Sequence, residues 1–391
     1  MRILYVAIKH DYGNPARGFS FEHWSLYHSL VSMGHDILYF DYVGLLGAMG
    51  RDAMNRRLWE VARSEQADLM FTVLYEEQLD RSVVRRISEE LQTVTVSWFC
   101  DDHWRFERFS RHWAPCFNWC VTTARSALPK YAAIGYGNVI KSQWACNPFL
   151  YRKLDVPLEH DVTFVGQPHG NRRAIIEALR AAGVRVQTWG YGWPAGRLGQ
   201  EQMIRVFNTS RINLNLPNPA MMSPTPGESR RRNLKLRTGE FLRRMPGGMR
   251  ARGLAHRVWG GLRRFRPGVR LSPPDLISDP NDQIKGRNFE VPACGAFLLS
   301  GQAEELSEYY EDGREIVCYS TMTDLIEKAR RYLADEAERA AIAQRGYERT
   351  LREHTYEHRF ADLFARVGLP QAPAAEVLAA SPRPGHTEYV R

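Results

Sequence analysis

Short apolar runs alternate along this chain with amphipathic stretches of helical length. In the first third, Arg2–Ile8 reads as a strand and Phe19–Met33 as a helix closed by Gly34-His35, the glycine standing where helices commonly stop. Asp36–Tyr42 reads as strand, Arg56–Glu65 as helix, Asp68–Leu74 as strand and Ser82–Leu91 as helix. Thr93–Phe99 and Asn118–Thr122 read as strands, and Ala124–Ile134 as helix. The pattern pauses near Asn147-Pro148 and restarts with strand Asp161–Val165, helix Arg172–Ala182, strand Val184–Trp189, helix Glu201–Asn208 and strand Ile212–Leu216. After a basic interruption the alternation resumes through Arg287–Cys294, Ala296–Leu299 and Ile316–Tyr319. Helical sequence then runs from Met322 to about Arg352 and from Tyr356 to Arg366.

Apolar strands separated by helices predict parallel sheets with helices on both faces, an α/β fold. Two such units flank a linker at about 147–160, giving two Rossmann-like, doubly wound domains: residues 1–150, and residues 158–355 with an insertion at about 218–280. A terminal helix at 356–368 is expected to pack back toward the N-terminal domain. The Ala- and Pro-rich tail, 369–391, is expected to be disordered. Open parallel sheets bind ligands beyond the carboxyl ends of their strands, so two of them facing each other form a cleft suited to a ligand.

Composition narrows the class. The 391 residues suffice for two domains of ordinary size, and 44% hydrophobic with 25% charged residues is a globular balance. No window holds the roughly 18 unbroken apolar residues of a membrane span. The opening MRILYVAIKH reads as a buried strand rather than a signal peptide, so a cytoplasmic protein is expected. Cys100, Cys116, Cys120, Cys146, Cys294 and Cys318 are scattered. Cys116 and Cys120 lie near His112, but no second ligand pair follows, so free thiols are expected and no metal. Charge is concentrated in one place: Arg230–Leu271 holds fourteen Lys/Arg and a single acid, Glu240, which outweighs the whole-chain +9 and leaves the remainder net acidic. Ala251–Phe265 can be drawn as a basic amphipathic helix suited to an anionic membrane at the inner face, with a solvated loop as the plain alternative and nucleic acid unlikely.

The stretch Asp279–Ser300, DPNDQIKGRNFEVPACGAFLLS, carries the chemistry. Asp282 precedes Glu290 by an acid, seven residues and an acid. Gly286 stands where a helix would start, and Cys294-Gly295 where it would end. A helix N-terminus offers backbone N–H groups and a positive dipole end to a diphosphate. A glycine there lets phosphate approach, and a glutamate one turn later can accept from ribose hydroxyls.

This stretch resembles the donor signature of family 4 glycosyltransferases of the GT-B fold, and most closely the spore-maturation CgeB-like branch. That branch has the form R-x-F-E-x-x-A-C-G-A-F, here Arg287, Phe289, Glu290, Ala293, Cys294, Gly295, Ala296 and Phe297. The resemblance extends to Asp312-Gly313, His354-Thr355-Tyr356, Val162–Arg173 and Gly190-Tyr191-Gly192-Trp193. It implies that Glu290 binds ribose and that Asp282 lies near the donor sugar. It implies that the amides of Gly286, Arg287 and Asn288, together with Arg172, hold the diphosphate. Gly166, Gly190 and Trp193 would border the nucleotide. Gln167 stands where the family often has a first arginine, so one phosphate cation carries over rather than two. The family's usual histidine after the strand Thr93–Phe99 is absent. Asp101, Asp102 or His103 would face the donor sugar instead, Asp102 being preferred and His103 a second candidate. Asp101-Asp102 as a divalent-ion site is the weaker alternative.

The function expected is retaining, metal-independent transfer of a sugar from a nucleoside diphosphate to a glycan, lipid-linked or small-molecule acceptor, with no cofactor. The alternatives are a nucleotide-sugar epimerase on the same fold, or an inactive sugar-nucleotide-binding protein.

Overall fold

The computed structural model describes residues 1–217, 276–278, 281–370 and the backbone of 387–389. The basic segment, its proposed helix Ala251–Phe265 and most of the tail lie outside the described residues. The N-terminal sheet contains β1 (Arg2–Val6), β2 (Asp36–Phe40), β3 (Leu69–Thr72), β4 (Val94–Phe99), β5 (Trp119–Thr122), β6 (Val139–Lys141) and, from the far end of the chain, β12 (Thr387–Tyr389). Its order is β12-β2-β1-β3-β4-β5-β6, with every pairing parallel. The second sheet contains β7 (His160–Val165), β8 (Val186–Trp189), β9 (Ser210–Asn215), β10 (Leu298–Gly301) and β11 (Val317–Tyr319), ordered β11-β10-β9-β7-β8 and also parallel.

Strand periodicity explains the layers. Along β1, Leu4 and Val6 point to one face, where Leu38, Phe40, Met54, Leu58, Val84 and Ile87 complete a core. Ile3 and Tyr5 point to the other, against Ile37, Tyr39, Leu30, Phe360 and Phe364. Both faces are covered, so these strands are apolar throughout rather than alternating. No helix among the described residues is long and apolar enough to cross a membrane.

Several boundaries differ from the sequence reading for identifiable reasons. The stretch Met322 to Arg352 is two helices, Met322–Ala334 and Glu336–Glu353, because Asp335 leaves the helical region and its carboxylate caps Glu338 N at 2.9 Å. Phe19–Met33 contains a widened turn, His23–Tyr27, before the helix His28–Ser32; there the His23 ring stacks on Tyr27 at 4.8 Å and Trp24 on His28 at 5.0 Å. The tail is not wholly without structure: Thr387–Tyr389 pairs with Ile37–Tyr39, supplying partners to the backbone groups that β2 would otherwise leave on an open edge.

The chain crosses between domains twice, and the two crossings lie side by side. Cys146 N donates to His354 O at 3.0 Å, and Tyr356 N donates to Cys146 O at 2.9 Å. After the second crossing, helix Tyr356–Arg366 buries Tyr356, Phe360, Leu363 and Phe364 in the N-terminal core. The Phe360 ring meets Phe71 edge-on at 5.6 Å.

Phe360→Ala should therefore destabilise the N-terminal domain by about 3–5 kcal/mol, the usual cost of emptying a buried aromatic site. Denaturant unfolding followed by tryptophan fluorescence measures this, and an unchanged midpoint would mean that the helix is not docked.

Candidate functional site

The turn before the helix Arg287–Ala293 is built around Asn288. Its side chain accepts from Lys285 N at 3.0 Å and from Asn215 Nδ2 at 3.1 Å, and donates to Ser300 Oγ at 3.0 Å. One amide side chain thus fastens the turn to the ends of β9 and β10. The helix that follows, Arg287–Ala293, is short and buried from Asn288 onward. Of the three amides assigned to the diphosphate, that of Asn288 is spent inside the turn on Lys285 O at 3.0 Å. The turn's own bonds leave those of Gly286 and Arg287. Asn288 is therefore a fastening residue by its side chain as well as its amide. Gly286 has ordinary helical angles, and its need is for space: a Cβ there would lie 2.9 Å from the Phe21 ring of the N-terminal domain.

Glu290 is fully buried. One carboxylate oxygen accepts from the Tyr151 hydroxyl at 2.8 Å, and the other pairs with Arg287. Tyr151 belongs to the linker, so the acid at the centre of the signature is tied to the domain crossing. Asp282 is also buried, and its backbone carbonyl accepts from Glu304 N at 2.7 Å.

The loops after β7 and β8 close on each other. Gly190 has φ 136°, and any Cβ on it would strike the Gly166 carbonyl. The Trp193 indole donates to that same carbonyl at 2.8 Å, with the Arg173 guanidinium over the ring at 4.8 Å. Gly166, Gly190 and Trp193 thus shape this loop pair by packing against one another. Arg172 opens the next helix and is buried; it donates to Gln167 O at 2.9 Å and to Leu216 O. Burial lowers its pKa to about 10, while its Nε has no protein partner.

On the N-terminal side the preferred residue is turned the wrong way. Asp102 is fully buried and accepts from the Tyr131 hydroxyl at 2.8 Å, inside the core beside Phe106. Burial pushes its carboxyl up, opposed by hydrogen bonds from Ser110, Thr122 and Tyr131. It heads the helix Asp102–Arg105 and does not open on the cleft. His103 is engaged across the seam, with Nε2 2.9 Å from Glu304. Burial would raise Glu304, but the bonds from His103 and Ser126 hold it below the usual carboxylate range. Neighbouring seam contacts are Arg125–Glu308 and Lys141–Glu305, both at 2.8 Å, and Arg197–Asp11 at 2.6 Å. Asp101 is the member of the trio that faces the cleft, with Gln283 Nε2 at 3.4 Å.

Lys285 is the residue the sequence reading passed over. Its Nζ donates to Gln283 Oε1 at 2.7 Å, and Gln283 in turn donates to Cys100 O at 2.6 Å. Burial lowers the Lys285 pKa to about 8, with Asp101 and Asp282 pulling it up and Arg172 pushing it down. A second cation therefore stands near Arg172 although Gln167 supplies none. The available signal was its position directly before Gly286, within the signature itself.

Two parallel α/β domains meeting at their carboxyl edges, with the crossings paired behind, constitute the GT-B glycosyltransferase fold. Residues 171–242 and 257–365 match a family model described as glycosyl transferase-like. HepE of Anabaena, in complex with UDP and glucose, has a TM-score of 0.54 at 9% identity, over 93% of this chain and 99% of that one. Sucrose-phosphate synthase of Thermosynechococcus elongatus gives 0.57 at 9% identity, over 94% and 99%. A DNA-modifying β-glucosyltransferase gives 0.51 at 11%, over 94% and 100%. No curated protein sequence matches the chain with significance.

The depressed lysine has a pH consequence. Between pH about 8 and the ordinary lysine value of 10.5, the unfolded chain holds a proton that folded Lys285 has lost. Stability should therefore rise with pH across that window relative to Lys285→Met. Denaturation midpoints measured from pH 7 to 10 (roughly spanning the window) read the difference; parallel pH curves for the two proteins would refute the lowered pKa.

Proposed function

We propose that the chain transfers a sugar from a nucleoside diphosphate to an acceptor hydroxyl, with retention and without a metal ion, as in the CgeB-like branch it resembles. The observation that carries this reading is the pair of cations Arg172, buried, and Lys285, half-buried, beside the Asp282-to-Glu290 signature. Two like charges held near each other suit a dianionic ligand. Neutralising the diphosphate also favours its departure. A bond forms from the acceptor oxygen to the anomeric carbon, and the bond from that carbon to the phosphate oxygen breaks. The diphosphate leaves with the electron pair, and the hydroxyl proton passes to a phosphate oxygen. Glu290 would serve ribose through the second lone pairs of oxygens already engaged by Tyr151 and Arg287. Asp101 replaces Asp102 as the acid facing the sugar.

The epimerase alternative has no comparable support. The basic segment Arg230–Leu271 would bring the enzyme to an anionic membrane at the cytoplasmic face.

A thermal-shift panel of UDP-, GDP-, ADP- and dTDP-sugars should give at least one stabilising donor; none would overturn the reading. Lys285→Ala should weaken that donor at least about tenfold, a charge-assisted bond being worth about 1.5–3 kcal/mol. Glu290→Ala is the less clean test, since it also strips Arg287 of its partner. Turnover should survive EDTA; loss restored by Mg²⁺ or Mn²⁺ would overturn metal independence. Deleting Arg230–Leu271 should abolish sedimentation with anionic vesicles while donor binding persists, and sedimentation retained after deletion would reject membrane docking.

A further inference from the structure

Gln283 stands between the two domains with both ends of its side-chain amide engaged. Its Nε2 donates to the carbonyl of Cys100, just past the end of β4, at 2.6 Å, with Asp101 Oδ1 further off at 3.4 Å. Its Oε1 accepts from Lys285 Nζ at 2.7 Å. These partners fix which way the amide faces. A carbonyl only accepts and an ammonium only donates, so a flipped amide would set Nε2 against Nζ and Oε1 against two acceptor oxygens. The side chain is buried, so water would not replace the bonds that such a flip would lose. We infer that Gln283 is a positioning residue for the transfer reaction: mounted on the end of β4, it holds the Lys285 ammonium in place for the donor diphosphate without cancelling its charge. The inference rests on the glycosyl-transfer reading above.

Lys285 needs such a mount. A lysine stem is long and flexible, and the ammonium at its tip is a point charge that goes where the local field sends it. The titratable groups around it are Asp101 and Cys100 from the end of β4, Asp282 from its own loop and Arg172 from the helix Arg172–Ala181. Arg172 repels the ammonium while Asp101 and Asp282 attract it, so charge alone would draw it from the arginine to an acid. Among the described residues its one hydrogen-bond partner is instead the neutral Gln283 oxygen. Its other N–H donors stay available to a ligand, and its charge stays uncancelled. An amide is the side chain that meets both demands at this position. A carboxylate would bind the ammonium more strongly, but it would neutralise the charge and could not donate to the Cys100 carbonyl. The lysine belongs to the C-terminal domain and its mount to the N-terminal one, so affinity for a diphosphate draws on both.

The test is calorimetric titration of the intact chain with UDP, GDP, ADP and dTDP, the tightest binder being carried through the variants. Gln283→Met keeps the bulk but removes the acceptor, and should weaken binding about fivefold or more near neutral pH. In a Lys285→Met background the same change should weaken it by less than about twofold, because Gln283 acts through the ammonium. Gln283→Glu should also weaken binding, since its carboxylate cancels the charge that the diphosphate meets. The pH profile is the readout that a merely structural role would not move. Affinity should fall as rising pH takes the proton from Lys285. The fall should come at lower pH in Gln283→Met, where the ammonium has lost an acceptor, and at higher pH in Gln283→Glu, where it has gained an opposite charge. Equal losses from Gln283→Met with and without Lys285, or pH profiles unmoved in the folded variants, overturn the positioning role while the transfer reading stands. Circular dichroism checks folding, and if Gln283→Met does not fold the pH profile of Gln283→Glu decides. A wild-type chain that binds none of the four diphosphates removes both the role and the reading.

Discussion

In an all-parallel sheet every strand ends on the same edge, and both sheets here turn that edge toward each other. All the loops that follow strands are thereby gathered into one cleft, while the strands, covered on both faces, remain apolar. The Asn288 fastening, the Gly166–Gly190 contact, Asp101 and Lys285 all lie on loops or turns that follow a strand or lead into the next helix.

The same constraint decides how the domains hold together. Their meeting surface is made of loops, so it is polar: Arg197–Asp11, Arg125–Glu308, Lys141–Glu305 and His103–Glu304 span it, with the Phe21 ring over Gly286 as an apolar point. Polar interdomain surfaces of this kind favour relative domain motion. A hinge is available where Cys146 and Thr355 run side by side, and it connects with the donor turn through Tyr151, whose hydroxyl binds Glu290. The signature acid is thus held by a residue of the interdomain linker. A hydrogen bond of this kind to a charged group is worth about 1.5–3 kcal/mol.

Particular residues show how far a sequence alone can be read. The strands were legible because burial on both faces leaves an apolar run that solvent-facing segments lack. Helix Tyr356–Arg366 was legible because its apolar positions recur with helical spacing. The Asp335 break was harder: aspartate is tolerated within helices, and only its capping bond to Glu338 shows that it interrupts one. The strand Thr387–Tyr389 was missed because the pairing that makes it a strand is with β2, far back along the chain.

Within the site, the sequence determined that Asp282 and Gly286 lead into the one short helix that carries Glu290, because their spacing is local and helical geometry converts spacing into position. It could not decide between Asp101 and Asp102. These neighbours leave the end of β4 in different directions, and the choice is made by Tyr131, which draws Asp102 into the core. Nor could it show that Lys285 stands near Arg172. The charge of Lys285 is set by burial and by Asp101, which comes from the other domain. Local sequence fixes which groups share a turn; the electrostatic environment of each group depends on residues far away in the chain, and only folding brings them together.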